Sequence, residues 1–345
     1  MADIISIVNA IHASGSADYQ KYVPLATATN IDSVANPIMT YEPVKNEFIT
    51  TMLNKIVMTV LHTKILNNPL APLKRGTMMM GNTVEEMFIN RAKATTHDPD
   101  GSTLLTRTKP DVKVAYHSIN REDTYPISIS DDQLTKAFKS YEALRSMING
   151  IIRALYNADA DDEFMLMKSL MSDAVAASHV VTSEVPDWID ADGKPVEELL
   201  KRIVGEFKNV SSYMTFAGSS FNKWAEVNTD AEPIRTRTDR KDQVLIIRSD
   251  LKNAIDLNVL AAAFNLDKAE FLARQVEVDN FGSDSDIVAF ICDKEFFQVY
   301  DKLRKITSFM NPQGLYTNYY LHVWQVLSYS LMVNAVAFKL PVVTP

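Results

Sequence analysis

The sequence predicts an α+β protein in which helical and strand-forming stretches occupy separate parts of the chain. Three observations support this fold class. Apolar side chains recur at steps of three and four between residues 131 and 156, which is the spacing of one helix face. Apolar and polar side chains alternate over residues 112–117, as in a half-buried strand. Strand-like and helix-like stretches mix over residues 196–302, and residues 305–338 return to strand.

Composition places the chain among globular proteins and excludes several classes. The 345 residues are 46% hydrophobic and 23% charged, which is enough apolar side chain for a large core. A net charge of −8 argues against a dedicated nucleic-acid binder. Ten glycines and the single Cys292 exclude collagen repeats, disulfide scaffolds and cysteine-rich zinc sites. No secretory signal follows Met1, and polar residues interrupt the apolar run at 321–338, so we expect a cytoplasmic protein without a membrane span.

Residues 1–65 are predicted to form an apolar arm with no core of its own. The expected elements are a short amphipathic helix from Ile4 to Ile11, an extended stretch at 22–28, an open stretch kept so by Pro37 and Pro43, and a helix at 47–61. Such an arm must lie either on the rest of the chain or on a neighbouring subunit.

Residues 74–126 are predicted to form a long β-hairpin. Turn-forming residues occupy its base, and a second turn signal lies at residues 97–101. Because an isolated hairpin is marginally stable in water, we expect this one to project and to rest against a partner.

A long helix is predicted over residues 131–156, about 39 Å at 1.5 Å per residue, with Asp131 and Asp132 at its start. The polar loop at 186–195 is the expected domain boundary. The remaining expectations are a second helical stretch from 159, a helix at 196–216, strands at 243–248, 276–278 and 287–292, short helices at 251–258, 259–265 and 294–300, and a hairpin turn at 311–314.

No catalytic or metal-binding motif stands out. The histidines lack metal-ligand spacing, and glycines are too sparse for a phosphate-binding loop. The acidic run at 159–163 favours helix N-terminal charge over a metal site, and residues 190–193 favour a surface turn over a calcium loop. His322 is expected to be a hydrogen-bonded core histidine and Cys292 a buried, inert thiol. These residues therefore indicate no catalytic or metal-dependent function.

The order of these segments resembles the Hong Kong 97-type fold of tailed-phage major capsid proteins. Individual residues resemble one family within that fold, the major head protein of phi29-like podoviruses. The most specific run is Asn-Pro-Gln-Gly-Leu-Tyr at 311–316, which continues into residues 318–325. The other similar segments are residues 7–11, 22–28, 66–70, 259–265, 299–301 and 334–338.

The resemblance implies the role of each segment. It makes residues 1–65 an N-arm, 74–126 an extended loop called the E-loop, and 196–302 an axial A-domain. Residues 127–195 and 303–345 become a peripheral P-domain, with its spine helix at about 131–156 and its P-loop turn at about 307–316. The head protein that the chain most resembles continues into an immunoglobulin-like domain at the point where this sequence stops, Pro345; either the phage lacks that domain or the sequence was cut before it. The N-arm starts at once, so a separate scaffolding protein is expected.

The function implied is self-assembly into an icosahedral or prolate head shell around packaged double-stranded DNA. Expected partners are further copies in pentamers and hexamers, a scaffolding protein, the portal or connector, and DNA without sequence-specific contact. We expect no enzyme activity, no cofactor, no metal and no membrane partner, with assembly in the host cytoplasm. The candidate interface residues are Glu85, Glu86, Arg91, Lys93, Arg107, Asp111, Asn311 and Gly314. An encapsulin-type nanocompartment shell and a cytoplasmic enzyme are the alternatives.

Overall fold

The computed structural model describes residues 4–27, 30–49, 51, 68–78, 81–102, 105–130, 132–133, 150–151, 153–228, 232–255, 275–284 and 286–341. The chain divides into two compact units. The first comprises Met1–Asn68, Arg121–Glu163 and Asp301–Gln325, and the second comprises Pro69–Asn120, Phe164–Tyr300 and Val326–Pro345. These divisions differ from the predicted domain ranges, which remain a prediction.

The helices are α1 (Ile4–Ser14), α2 (Ala17–Tyr22), α3 (Ile31–Thr40), α4 (Ala158–Ala176), α5 (Glu197–Tyr213), α6 (Trp224–Val227) and α7 (Ser249–Ala254). Residues 42–49 are also helical, Arg153–Asn157 form a π-helix, and Ala71–Leu73 and Arg240–Asp242 form 3-10 turns. The strands are β1 (Gly76–Thr77), β2 (Thr83–Ile89), β3 (Val112–Ser118), β4 (Arg121–Ser130), β5 (Val181–Glu184), β6 (Gln243–Arg248), β7 (Gln275–Val278), β8 (Ile287–Asp293), β9 (Phe297–Asn311), β10 (Tyr316–Tyr329) and β11 (Ala335–Lys339).

The first unit is built on the antiparallel pairing of β4 with β10, which runs from Arg121 opposite Gln325 to Ser130 opposite Tyr316. This pair belongs to a four-stranded sheet of order β1-β9-β10-β4. The N-terminal helices supply most of the apolar core of the unit, which Tyr319, Leu321 and Val323 of β10 complete. The predicted arm therefore has a core partner within its own unit.

Two helices in this arm, α3 and the helix at 42–49, correct the prediction that Pro37 and Pro43 keep the chain open. α3 contains Pro37 in its interior, and Pro43 is the second residue of the helix at 42–49. α2 follows its N-cap residue Ser16, whose hydroxyl accepts a hydrogen bond from the N–H of Tyr19. A proline inside a helix removes one hydrogen bond and costs about 3 kcal/mol. Val34 and Ile38 are both buried at helical spacing, and their burial outweighs that cost.

A buried network of charged and polar side chains lies inside the first unit, centred on Arg121. The guanidinium of Arg121 donates to Asp123 Oδ2 at 2.6 Å, to Asp159 Oδ1 at 3.1 Å and to Tyr125 Oη at 2.7 Å. Its fourth acceptor is Oε1 of Gln325. Burial opposes the charge on Arg121, but the hydrogen bond to Asp123 and the charge of Asp159 prevail, so the pKa of Arg121 is raised.

Arg304 completes the network. It lies 2.8 Å from Asp159 and 3.6 Å from Glu163, and Glu163 also accepts hydrogen bonds from Asn68 and Gln325. The acidic residues at the start of α4 thus neutralise two arginines. Within the described part of the chain, no group of three or more His, Cys, Asp or Glu side chains is arranged to hold a metal ion. The network also links the ends of the chain segments that form this unit. The chain enters or leaves the unit at five residues of the network: Asn68, Arg121, Glu163, Asp301 and Gln325.

The second unit is built on a five-stranded mixed sheet of order β5-β11-β8-β6-β7. β11 is parallel to β5 and antiparallel to β8, and β6 is antiparallel to β8 and parallel to β7. Two apolar cores involve this sheet: one packs α5 through Phe207 against Phe338, and the other packs α4 through Met167 and Met171. The strands predicted at 243–248 and 287–292 and the helix predicted at 196–216 are confirmed.

The helix predicted at 294–300 is wrong. Residues 294–296 form a turn, and β9 begins at Phe297. Phe296, Phe297 and Val299 are fully buried, with Phe296 packed on both Phe290 and Phe297. Aromatic and β-branched side chains buried on both faces favour a strand, and this outweighs the short helical pattern.

Several predictions fall outside the described residues. They are the central part of the long helix at 131–156, most of the helix at 47–61 and the helix at 259–265. The predicted hairpin is shorter than its range, because only β2 and β3 pair with each other while β1 and β4 join the four-stranded sheet. The polar loop at 186–195 lies within the second unit.

Candidate assembly surface

A two-stranded hairpin in the second unit has two chemically different faces. β2 and β3 pair from Thr83 opposite Ser118 to Ile89 opposite Val112. Side chains alternate along each strand, so residues directly opposite one another share a face. The faces can therefore be assigned separately.

The inner face of the hairpin packs on its own unit. Phe88 and Ala115 lie against a small core of Trp224, Ile234 and Met332. Beside them, His117 contacts Glu86 Oε2 through Nε2 at 3.1 Å, and Glu86 Oε1 accepts a hydrogen bond from the Ser330 hydroxyl. These contacts hold the paired strands in place.

The outer face of the hairpin is apolar and exposed. Its apolar side chains are Met87, Ile89, Val112 and Tyr116, whose exposed fractions are 56%, 60%, 40% and 68%, together with the half-buried Val114. Glu85, opposite Tyr116, also lies on this face. Single exposed apolar residues are ordinary, but neighbouring ones across two paired strands form a continuous patch. This surface is hereafter called the outer hairpin face.

The loop between the strands, residues 90–111, is closed at its base. Asn90 donates its backbone N–H to Asp111 O at 2.9 Å and its side-chain amide to Asp111 Oδ2 at 2.6 Å. The hydrogen bond from Asn90, followed by the one from Lys113, lowers the pKa of the Asp111 carboxyl. Leu105, near the middle of the loop, is 95% exposed.

The candidate charges on the hairpin have three different environments. Glu86 lies on the inner face in the His117 contact. Lys93 pairs with Glu232 at 2.6 Å, and Asp111 pairs with Lys113 at 2.8 Å. Glu85, Arg91 and Arg107 are exposed. Only the last three are placed at a surface without an ion pair among the described residues.

The turn at 311–314, predicted from its Asn-Pro-Gln-Gly sequence, is confirmed. Asn311 Oδ1 accepts hydrogen bonds from the N–H groups of Gln313 and Gly314, and its amide donates to Tyr316 Oη at 2.8 Å. A Cβ on Gly314 would approach the Tyr316 ring to 2.4 Å, so any larger residue would displace the ring. The exposed Phe309 and Leu315 flank this turn.

Other places that could carry chemistry are structural. His322 contacts the hydroxyls of Thr124 and Thr307, which confirms the predicted hydrogen bonding, but it is only half-buried and does not lie in the core. An open cavity of about 400 Å³ is lined by Lys74, Arg75, Lys294 and Tyr300, and its Arg75 pairs with Glu295 at 3.0 Å. None of the helices in the described ranges is both long enough and apolar enough to cross a membrane.

Cys292 is predicted to be unreactive in the folded protein. It is fully buried in β8, and burial followed by the charge of Asp293 raises the pKa of its thiol. We expect a bulky thiol reagent at pH 8 to label native protein negligibly and guanidinium-unfolded protein with one equivalent. A Ser219→Cys variant, exposed on a loop, is the positive control. Rapid labelling of native wild-type protein would contradict this burial.

Two solved structures share the fold. The chain aligns with a chain of the Staphylococcus phage Andhra capsid structure at a TM-score of 0.64 and 13% identity, covering 80% of this chain and 85% of that one. It aligns with a chain in the structure of the head fiber and inner core protein gp22 of bacteriophage P68 at a TM-score of 0.59 and 12% identity, covering 79% and 85%. The fold is the Hong Kong 97-type fold of tailed-phage capsid proteins.

Sequence comparison gives the family. A family model described as "Phi29-like phage major capsid protein" matches residues 8–339. The major capsid protein of Bacillus phage B103 is 36% identical over 334 residues, covering 96% of this chain and 72% of that protein. The major capsid protein of Streptococcus phage Cp-1 is 28% identical, covering 96% and 92%. The chain belongs to the Phi29-like major capsid protein family: it is a structural protein of the virion that self-assembles into capsid shells.

Proposed function

We propose that this chain builds the icosahedral or prolate head shell around packaged double-stranded DNA, and that the hairpin is one of its contacts between subunits. The observation that carries the second statement is the outer hairpin face. Its apolar side chains are exposed in the single chain, while the opposite face of the same strands is packed. A second copy that covered this face would remove apolar area from water, at roughly 25 cal/mol per Å².

Three of the six charged candidates belong to this proposed contact. Glu85 lies on the outer hairpin face, and Arg91 and Arg107 are exposed in the loop between its strands. Such charges set register and specificity more than affinity. Asn311 and Gly314 are proposed to present Phe309 and Leu315 at a second contact. Each contact can be individually weak, because closed symmetry repeats it around the shell.

The partner and domain assignments belong to the same proposal. They comprise an N-arm at 1–65, an E-loop at 74–126, a P-domain at 127–195 and 303–345, and an A-domain at 196–302. The proposed partners are a separate scaffolding protein and a portal or connector. The proposed place of assembly is the host cytoplasm. The net charge of −8 disfavours tight DNA binding, because attraction of basic side chains to phosphates supplies most non-specific affinity.

Deleting residues 92–106 tests the role of the hairpin loop. The cut removes the exposed tip and leaves the paired strands and the Asn90–Asp111 closure intact. We expect a subunit with unchanged circular dichroism that no longer forms normal shells, as seen by negative-stain microscopy with and without a candidate scaffolding protein. Normal shells from the deleted protein would show that the loop is dispensable.

A further inference from the structure

A short surface segment of the second unit concentrates positive charge. Arg235, Arg237, Arg240 and Lys241 lie within seven residues that contain one acid, Asp239. The segment carries a net charge of +3, so the remaining residues carry −11. Such a local concentration of positive charge attracts polyanions even though the whole chain is acidic.

The backbone holds this segment beside the chain that follows α5. Gly218 and Thr236 exchange two N–H to carbonyl hydrogen bonds of 3.0 Å, and Thr238 donates its N–H to Met214 O at 2.8 Å. Ile234 and Thr238 are buried, whereas Arg235 and Arg237 alternate onto the exposed side. Two residues of extended chain separate these arginines by about 7 Å.

Two exposed aromatic rings belong to the same surface. Tyr213 and Phe216 are 64% and 70% exposed, and the buried Met214 between them anchors the chain that bears them. The Arg235 guanidinium donates to Ala217 O at 3.3 Å, next to Phe216, and the Arg240 guanidinium donates to Ser212 Oγ at 3.2 Å, next to Tyr213. Two of the cations are therefore hydrogen-bonded to residues that directly adjoin the two aromatic residues in the chain.

We propose that Arg235, Arg237, Arg240, Lys241, Tyr213 and Phe216 form a nucleic-acid-binding surface that contacts the phosphate backbone. This inference rests on the proposed function, because a shell subunit meets nucleic acid when the shell encloses a genome. Arginine recognises phosphate by paired hydrogen bonds, and exposed rings near cations can stack on the flat faces of unpaired bases. The rings favour nucleic acid over an acidic protein, and the acidic remainder of the chain keeps the contact weak.

Fluorescence anisotropy of a labelled 30-base-pair duplex with the unassembled full-length subunit tests the proposal. Four phosphate contacts predict an affinity that falls on the order of 100-fold between 50 and 200 mM salt. The triple variant R235S/R237S/K241S should bind at least tenfold more weakly at 50 mM salt. Its affinity should fall only about fourfold over the same salt range, because one cation remains.

A charge-matched variant, K21S/R202S/K305S, is the control, since all three side chains are exposed and lie outside the segment. It should bind duplex within twofold of wild type. A separate Phe216→Ser substitution should weaken the binding of a labelled 30-nucleotide single strand. Equal losses in both triple variants, or binding that salt does not weaken, would overturn the proposal.

Competition by poly-aspartate that is stronger than competition by DNA would assign the surface to an acidic protein and would also overturn the proposal. Shell formation is scored separately by microscopy on the same variants. A variant that assembles normally but has lost duplex binding supports this inference. Wild-type protein that binds duplex but forms no shells counts against the proposed function alone.

Discussion

The double substitution Met87→Ser and Ile89→Ser is expected to raise the subunit concentration needed for shell formation while leaving the subunit folded. Both side chains lie on the outer hairpin face and are more than half exposed, so little is lost within the subunit. In a contact with a second copy, each would bury roughly half a side chain, which contributes about 1 kcal/mol or more. Together they should raise the subunit concentration needed for assembly about 30-fold or more, because 1.4 kcal/mol is a factor of ten.

Light scattering and negative-stain microscopy over a range of subunit concentrations measure this shift. Met165→Ser with Ile189→Ser is the matched control, because these two apolar residues are 54% and 45% exposed and lie outside the hairpin. An equal shift in both variants would mean that general surface hydrophobicity, and not the hairpin, drives association. Unchanged assembly of the hairpin variant would exclude the outer hairpin face as a subunit contact.

Arg121→Leu is expected to destabilise the first unit by about 3–5 kcal/mol. The Arg121 side chain is 3% exposed and is bonded to Asp159, which is equally buried. Removing the cation leaves the carboxylate of Asp159 in a buried site, still paired with Arg304 but without the Arg121 charge, and leaves Gln325 Oε1 and Tyr125 Oη with one contact fewer. Since whole domains are stable by about 5–15 kcal/mol, this loss is a large fraction of the total.

Urea unfolding followed by tryptophan fluorescence measures this loss in the correct unit. The chain has three tryptophans, and Trp324 is the one in the first unit, so the difference between wild-type and Trp324→Phe signals isolates its transition. Asp123→Asn is the control, because Asp123 is 44% exposed and its pair with Arg121 should contribute at most about 1 kcal/mol. Equal midpoints for Arg121→Leu and wild type would show that the network does not stabilise this unit.

Local patterns predicted some elements accurately. The Val-Leu-Ile-Ile run at 244–247 forms β6, whose side chains are buried, and the Asn-Pro-Gln-Gly sequence at 311–314 forms the expected turn. This strand and this turn depend on residues that are adjacent in the sequence, so a local sequence pattern is enough to predict them. The same turn sequence also carried the resemblance to the capsid family, which the family model and the named relatives confirm.

Other features depended on contacts that local patterns do not contain. Pro37 lies in a helix because Val34 and Ile38 find a core, and residues 297–300 form strand because Phe296 and Phe297 are buried. The partners of Arg121 include Gln325, which is 204 residues away. The sequence pattern did not predict the proposed basic surface at 235–241, although the four basic residues stand close together in the sequence. Its aromatic residues come from a segment about 20 residues earlier, which only the fold brings beside it.

The hairpin illustrates the difference between what the sequence predicts and what the tertiary structure decides. Glu85 and Glu86 are adjacent, so alternation along a strand determines from sequence alone that they point to opposite faces. Which face is covered was decided by the tertiary structure: Trp224, Ile234 and Met332 cover the side with Phe88 and Glu86 and leave Met87 and Ile89 exposed. The sequence by itself thus determined family, local periodicity and turns. The tertiary structure decided which of the two hairpin faces is buried. Alternation along a strand separates the side chains into two faces, but only the surface that packs against the strand determines which face is covered.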